Sequence, residues 1–453
     1  MRTNFNVPAM EAEVLDTDMP PSDVQVIGLE SISMEEAELL IHEATTNSND
    51  AESQLSEVER ILEVSDALED LAVIAGSIEK ATPAEAALIE NTGNMAVAGS
   101  DVDPEKVIPA MESFIGGRIA IEDIRTTART IWENIQKFLK QVWDAIESFF
   151  TNILSTIPRM RKALDELEKR VTAVSGVKPL TDKIKLTSSL TNLHVGGKPL
   201  KNEHDMLQAY AALRIAVKWV YGQYVETVTK RGRIIATAIG SIDPAETSLA
   251  VSKLRTELLA TKPAPVPGGS GVDNKRFPGF ATTFGSDLPG NVSIACKYYN
   301  DNKDNVTSLA ALDRYRNSRC ELAAVADSVE KTATEIELTP FSTAAMGTLI
   351  NDMRELLDTL SSYKFGAKSK EVASVRKLIN EASDKAQRVV GSLANGDEGH
   401  QSSVINYRAL MNFNASYARW AQTPSMPMMS HSLNVTKTLM VVIQKSLHAY
   451  SAT

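Results

Sequence analysis

The sequence lacks most of the groups from which active sites are built. Of its 453 residues only two are cysteines, Cys296 and Cys320, too few for a disulfide framework and without the CxxC spacing that holds zinc. They read as separate buried thiols in a reducing, export-free compartment. The six histidines form no HExxH or HxxxH pair, so no helix face carries two ligands. Neither GxGxxG nor GxSxG occurs. Gly196-Gly197-Lys198-Pro199 ends like a phosphate loop, but it lacks the leading glycine and puts proline where a magnesium-binding Ser or Thr belongs. Asp301, Lys303 and Asn305 fail a calcium loop for want of its glycine and its glutamate. No apolar run reaches the 18 residues or so of a membrane span, and the N-terminal residues MRTNFNVPAMEAEVLD have no apolar signal region. These absences predict no catalytic residue, cofactor, metal or small-molecule substrate, and hence a protein that is not an enzyme.

Aromatic residues and positive charge are missing from one end only. Residues 1–112 contain 25 Asp and Glu against four bases, a net −21, and just one of the chain's 25 aromatics, Phe5. The remaining 341 residues sum to +10, so the overall −11 conceals an acidic leader on a basic body. Such a leader repels itself and has little with which to build a core, and is expected to be largely disordered. Short helices are still predicted within it: after the capping box Ser33–Glu36, over about 55–75, and from Asp103-Pro104.

The body reads as mainly α, a helical bundle with a small β-hairpin insertion. Residues 122–157 carry the strongest periodicity, with Ile131, Ile135, Phe138, Val142, Ile146, Phe149, Ile153 and Ile157 at i, i+3/i+4 spacing and Trp132, Trp143 and Phe150 widening the stripe. This face, represented by Trp132, Phe138, Trp143, Phe149 and Phe150, suits core packing, a partner helix or a membrane surface. Pro158 should kink or end the helix before it resumes over Arg159–Val171. Residues 183–200 suggest the hairpin, closed by Gly196-Gly197. Further helices are expected over 203–239 and from Asp243-Pro244 to about Leu259, then a Pro/Gly-rich loop over 261–292 with strands near 292–299. Four helical runs, near 343–363, 368–394, 400–421 and 431–450, complete the chain. The expected segments are thus 1–112, 113–180, 181–300 and 301–453.

Basic clusters punctuate the body: Arg159/Arg161/Lys162, Lys169/Arg170, Lys230/Arg231/Arg233, Lys275/Arg276 and Arg314/Arg316/Arg319. On a +10 body they suit phosphate contact that reads no bases, with Arg159, Arg161, Lys162, Lys230, Arg231 and Arg233 the leading candidates.

The order of these parts, an acidic leader, then IEDIRTTARTIWENIQKFLKQVWDAIESFFTNILSTIPRMRK, then KIKLTSSLTNLHVGG and a helical body, resembles the internal head (inner-body) virion proteins of jumbo phages of the phiKZ-like group. The specific likeness lies in 121–197; elsewhere it is one of layout. The resemblance implies a propeptide that directs the protein into the prohead and is removed there by the phage's protease. It also implies a mature form that lies with packaged DNA and other inner-body proteins, some copies being ejected into the host. That protease prefers a small residue, any residue, then glutamate. Ala110-Met111-Glu112 fits the pattern where a cut would release the −21 peptide from the +10 body. The expected function is a virion structural protein inside the capsid, present in host cytoplasm before assembly and after ejection. The alternatives are a cytosolic helical adaptor with a permanent acidic regulatory tail, and an ejected protein associated with a membrane surface.

Overall fold

Local signals set where each helix begins and which face it buries. The structure, a computed structural model, describes Asn91, Lys140 and, with short gaps, residues 143–450. The helices expected in the acidic leader, and Trp132 and Phe138, lie outside the described residues. Helical residues from 143 to 154 bury Trp143, Ile146, Phe149, Phe150, Ile153 and Leu154. The chain turns at Ser155-Thr156, where the Thr156 hydroxyl donates back to the Ile153 carbonyl at 2.7 Å. Helix α1 (Ile157–Ala173) then starts with Pro158 in its first turn, where a missing N–H costs nothing. Its stripe Ile157, Met160, Leu164, Leu167 and Val171 is buried.

Helix α2 (Glu203–Trp219) is capped by Asn202, whose side-chain oxygen accepts from the Asp205 N–H at 2.9 Å. It runs through a π-helical turn, Val220–Tyr224, into α3 (Val225–Gly240), making the long helix expected there. The extra residue of the π turn rotates the face so that Val220, Tyr221 and Tyr224 all point inward. Helix α4 (Thr247–Ala260) starts later than Asp243-Pro244 suggested, after Glu246. Beyond the short helix α5 (Ser308–Arg316) come α6 (Thr343–Phe365), α7 (Ala367–Leu393), α8 (Phe413–Gln422) and α9 (Ser425–His448). Helix α9 begins six residues before the expected start, because Pro427 falls in its first turn and is tolerated there.

The hairpin is smaller than its alternating sequence suggested. Strands β2 (His194–Val195) and β3 (Lys198–Pro199) pair around Gly196 and Gly197, whose φ values of 56° and 79° a two-residue hairpin turn requires. The earlier part of the alternation, β1 (Ile184–Leu186), pairs antiparallel with distant β8 (Ile336–Leu338) instead. The region read as a Pro/Gly-rich loop contributes two strands to a four-stranded antiparallel sheet: β4 (Ser270–Val272), β5 (Ala281–Phe284), β6 (Val292–Tyr298) and β7 (Arg319–Ala324), in that order. Cys296 and Cys320 face each other across β6 and β7 and form a disulfide, which corrects their reading as separate thiols; the register brings their Cα atoms to 3.9 Å.

Buried apolar residues from Trp143 to Tyr450 form one cluster. Helix α9 runs through it, packed against α1, α2, α6, α8, β1, β7 and the π turn. Being covered on nearly every side, it buries polar residues too, and three of these find partners on other elements: Thr436 with the Tyr210 hydroxyl at 2.7 Å, Thr438 with Asn192 at 2.9 Å and Ser446 with the Phe341 N–H at 3.1 Å. Helices α3 and α7 approach closely at Gly232, where a Cβ would lie 2.5 Å from both Val375 and Tyr417.

Candidate nucleic-acid interface

The six predicted phosphate contacts sit on two helices and are unequal. On α1, Arg159 and Lys162 are exposed, whereas Arg161 turns to α6 and pairs with Asp358 at 2.5 Å. On α3, Lys230 is exposed and Arg233 pairs with Glu371 of α7 at 2.6 Å. Arg231 does not belong to the set. It is 7% exposed, donates from Nε and Nη2 to the Thr261 carbonyl at 3.1 and 3.0 Å, and lies 5.2 Å from the centroid of the Trp420 ring. Burial holds its guanidinium below the usual arginine range. The reason is helical geometry: Arg231 continues the buried stripe of Val228 and Ile235, while Lys230 and Arg233 flank it. That i, i+3/i+4 relation was readable in the sequence, but the charge cluster obscured it. Because α1 packs on α6 and α3 on α7, the two groups occupy separate helix pairs.

Many other cations of the body are paired internally. Helix α6 presents Asp352 and Glu355 to Arg214 of α2, Glu355 also to Lys218, and Arg354 to Asp165 and Glu168 of α1, each at 2.6 Å. The Arg354 contact holds the Glu168 carboxyl below the ordinary carboxylate range. These pairs join α1, α6 and α2, and they withdraw charge that the sequence alone would assign to a polyanion.

The amphipathic face divides in the same way. Trp143 packs on Tyr417 with centroids 5.8 Å apart and under Arg376 at 5.0 Å, and Phe150 packs on Tyr363 at 5.5 Å. Phe149 is fully buried. The candidate processing residues Ala110, Met111 and Glu112, and the Lys275/Arg276 cluster, lie outside the described residues. Sequence reading also missed a group of cations set by strand register: Lys297 of β6 stands opposite Arg319 of β7, and burial first, then Arg319, and least Arg419 of α8 hold the Lys297 ammonium below the usual lysine range. Their separation in sequence left no local signal beyond the alternation of β6.

Two tyrosines of the π turn fasten the α8–α9 corner. The Tyr221 hydroxyl donates to the Ser425 carbonyl at 2.6 Å and that of Tyr224 to the Thr423 carbonyl at 2.7 Å; burial raises both phenols above their ordinary pKa. Among the described residues no group of His, Cys, Asp and Glu could hold a metal, and no helix is long and apolar enough to cross a membrane.

No curated protein and no solved structure matches the chain. The family model of the phiKZ-like phage internal head proteins, in contrast, matches residues 36–445, a span that takes in most of the acidic leader and nearly all of the helical body. A match over so much of the sequence places the chain in that family: it belongs to the phiKZ-like phage internal head proteins, structural components of the interior of the virion.

Proposed function

We propose that this protein is a non-enzymatic packing component of the phage head that lies against the packaged DNA once its acidic leader has been removed. Inside the head its partners are other virion proteins. The observation that carries the reading is the division of charge, −21 over residues 1–112 and +10 over the remainder. While attached, the leader competes with DNA for the basic groups of the body. Cleavage after Glu112 by the prohead protease removes that competitor, and counterion release then favours phosphate contact without regard to sequence. Arg159, Lys162 and Lys230 are the exposed contacts, with Arg161 and Arg233 available by exchanging one anionic partner for another. Ejection with the DNA, into the host cytoplasm, completes the proposed path.

Two measurements test this. N-terminal sequencing of the protein from purified particles should find a start at residue 113. Gel-shift titrations at low and moderate salt should show DNA retained by residues 113–453 and not by the full chain, with affinity falling steeply as salt rises. Equal binding by both, or none by the truncated form at low salt, refutes the masking mechanism and leaves the leader as a packaging address. The burial of Trp143, Phe149 and Phe150 favours this reading over a membrane-surface role, which would require that face to be open.

A further inference from the structure

We propose that the open strip of α9, carrying Lys437 and Lys445, is the surface on which the acidic leader of the same chain docks, through residues 50–70. Other elements cover α9 over most of its circumference. From His431 onward the residues that keep some exposure are Asn434, Lys437, Val441, Lys445 and His448. Steps of three and four place them on one side of the helix, with Lys437 and Lys445 about 12 Å apart along its axis.

Charge sets this strip apart from the basic clusters of α1 and α3. Residues 399–453 contain four Lys and Arg and no Asp or Glu, so α9 itself presents no like charge to a polyanion. The clusters on α1 and α3 are interleaved with Asp165, Glu166, Glu168 and Glu226. On elements packed against α9, Glu166 of α1, Glu203 of α2 and Glu321 of β7 are engaged by Arg170, by the Ser342 N–H and by Arg319. Among the described residues neither Lys437 nor Lys445 has an ion pair or a hydrogen bond from its ammonium. Burial holds the Lys437 ammonium below the usual lysine range, and no carboxylate opposes it. Lys445 and His448 stand in the last turn, where they complement the helix dipole; Lys437, in the middle of the helix, has no such role. The occupant is chosen by complementary charge. Residues 50–70 hold eight Asp and Glu against Arg60 alone, a net −7. Asp70 precedes Trp143 by 73 residues, a length that extended spans about 240 Å, so the tether restricts the leader to no one face of the body.

The dock names the surface of the leader–body contact proposed above, and rests on that reading for its consequence, that cleavage opens the strip. The test uses the full chain. A carbodiimide joins lysine amines to carboxylates in contact with them, and mass spectrometry of the low-salt product should find Lys437 or Lys445 coupled to acids of residues 50–70. Sodium chloride at 1 M, where the screening length is about 3 Å, should abolish that coupling. In a second arm, a glutamate-specific protease should cut the leader of Lys437→Gln/Lys445→Gln several-fold faster than that of the wild type at low salt, and at the same rate in 1 M salt. The single variants serve if the double variant fails to fold. Leader carboxylates coupled only to other lysines overturn the proposal, as does equal leader cleavage in wild type and folded variant at low salt. A strip that couples to no leader carboxylate, yet is shielded from acylation by added DNA, is a DNA contact, which also overturns it. Coupling at Lys437 or Lys445 together with equal DNA retention by the full and shortened chains keeps the dock and refutes masking. Coupling elsewhere with masking intact does the reverse, so the two failures are distinct.

Discussion

Substituting alanine for Gly232 should destabilise the protein, although the same change elsewhere in a helix stabilises. Gly232 lies within α3, where alanine is worth about 1 kcal/mol more than glycine on helix propensity alone. Opposing this, the added Cβ would fall 2.5 Å from Val375 Cγ1 on α7 and 2.5 Å from Tyr417 Cε2 on α8. Carbon atoms rest about 3.5–4.0 Å apart, so two side chains on two helices must each yield by about 1 Å. Neither is free to do so. Tyr417 is fully buried and tied through its hydroxyl to the Val372 carbonyl at 3.1 Å, and Val375 is 1% exposed. Overpacking of this kind costs about 1–3 kcal/mol, toward the upper end where both neighbours are fixed, which leaves a net loss of about 1–2 kcal/mol after the propensity gain. Gly347 on α6 is the matched control: nothing lies within 4 Å of its Cβ position, so Gly347→Ala should gain about 0.5–1 kcal/mol. Urea titrations followed by circular dichroism would show the midpoint falling for Gly232→Ala and rising for Gly347→Ala, with the slope unchanged in both. If both variants rise together, the close approach of α3 to α7 and α8 is wrong.

Three further outcomes follow from individual side chains. His431 of α9 has an Nε2 atom sealed from water without a partner, and burial lowers its pKa to about 4. The unfolded chain takes up that proton near pH 6.5, so His431 withdraws stability as pH falls from about 6.5 to 4, by at most about 3 kcal/mol; His431→Gln should flatten that part of the curve, and an unchanged slope refutes it. Arg231→Met removes both hydrogen bonds to the Thr261 carbonyl and should cost about 2 kcal/mol in urea while leaving DNA retention by residues 113–453 unchanged; Lys230→Met should do the reverse, weakening DNA retention alone. Arg354→Gln breaks contacts to Asp165 and Glu168, both well exposed, and should cost no more than about 1 kcal/mol, a difference that shrinks further in high salt.

What could be read from the sequence was what depends on neighbours in the chain. The helix over Arg159–Val171, the start of the long helix at residue 203 and the turn at Gly196-Gly197 each follow from residues within a few positions of one another, and each stands where the pattern placed it, to within two residues. The sheet was missed because its strands are short and its decisive pairings are distant: β1 meets a strand about 150 residues on, and Cys296 meets Cys320 across 24. The π turn has no signature of its own, since Trp219–Val225 reads as unbroken helix and only the shared burial of Val220, Tyr221 and Tyr224 shows the extra residue. Among the candidate contacts, the chemistry of Lys230, Arg231 and Arg233 is legible in the sequence, but their direction follows from the buried stripe of Val228 and Ile235. Net charge describes composition, whereas the helical period decides which cations meet solvent. The row at Lys297 follows from strand register, which local sequence does not specify.

The central position of α9 also orders events in time. Helices α1, α2 and α6 pack on one another and also on residues 425–448, so the part of each face turned toward α9 stays uncovered until about 425 residues have been synthesised. At about 5–20 residues per second, that is a delay of roughly 20–85 s during which the acidic leader has left the ribosome and the faces turned toward α9 are still open. Throughout that interval a nascent chain carries a strongly anionic leader ahead of apolar faces that await α9. The like charge of that leader, −21 over residues 1–112, opposes association between nascent chains before any DNA or any capsid is within reach.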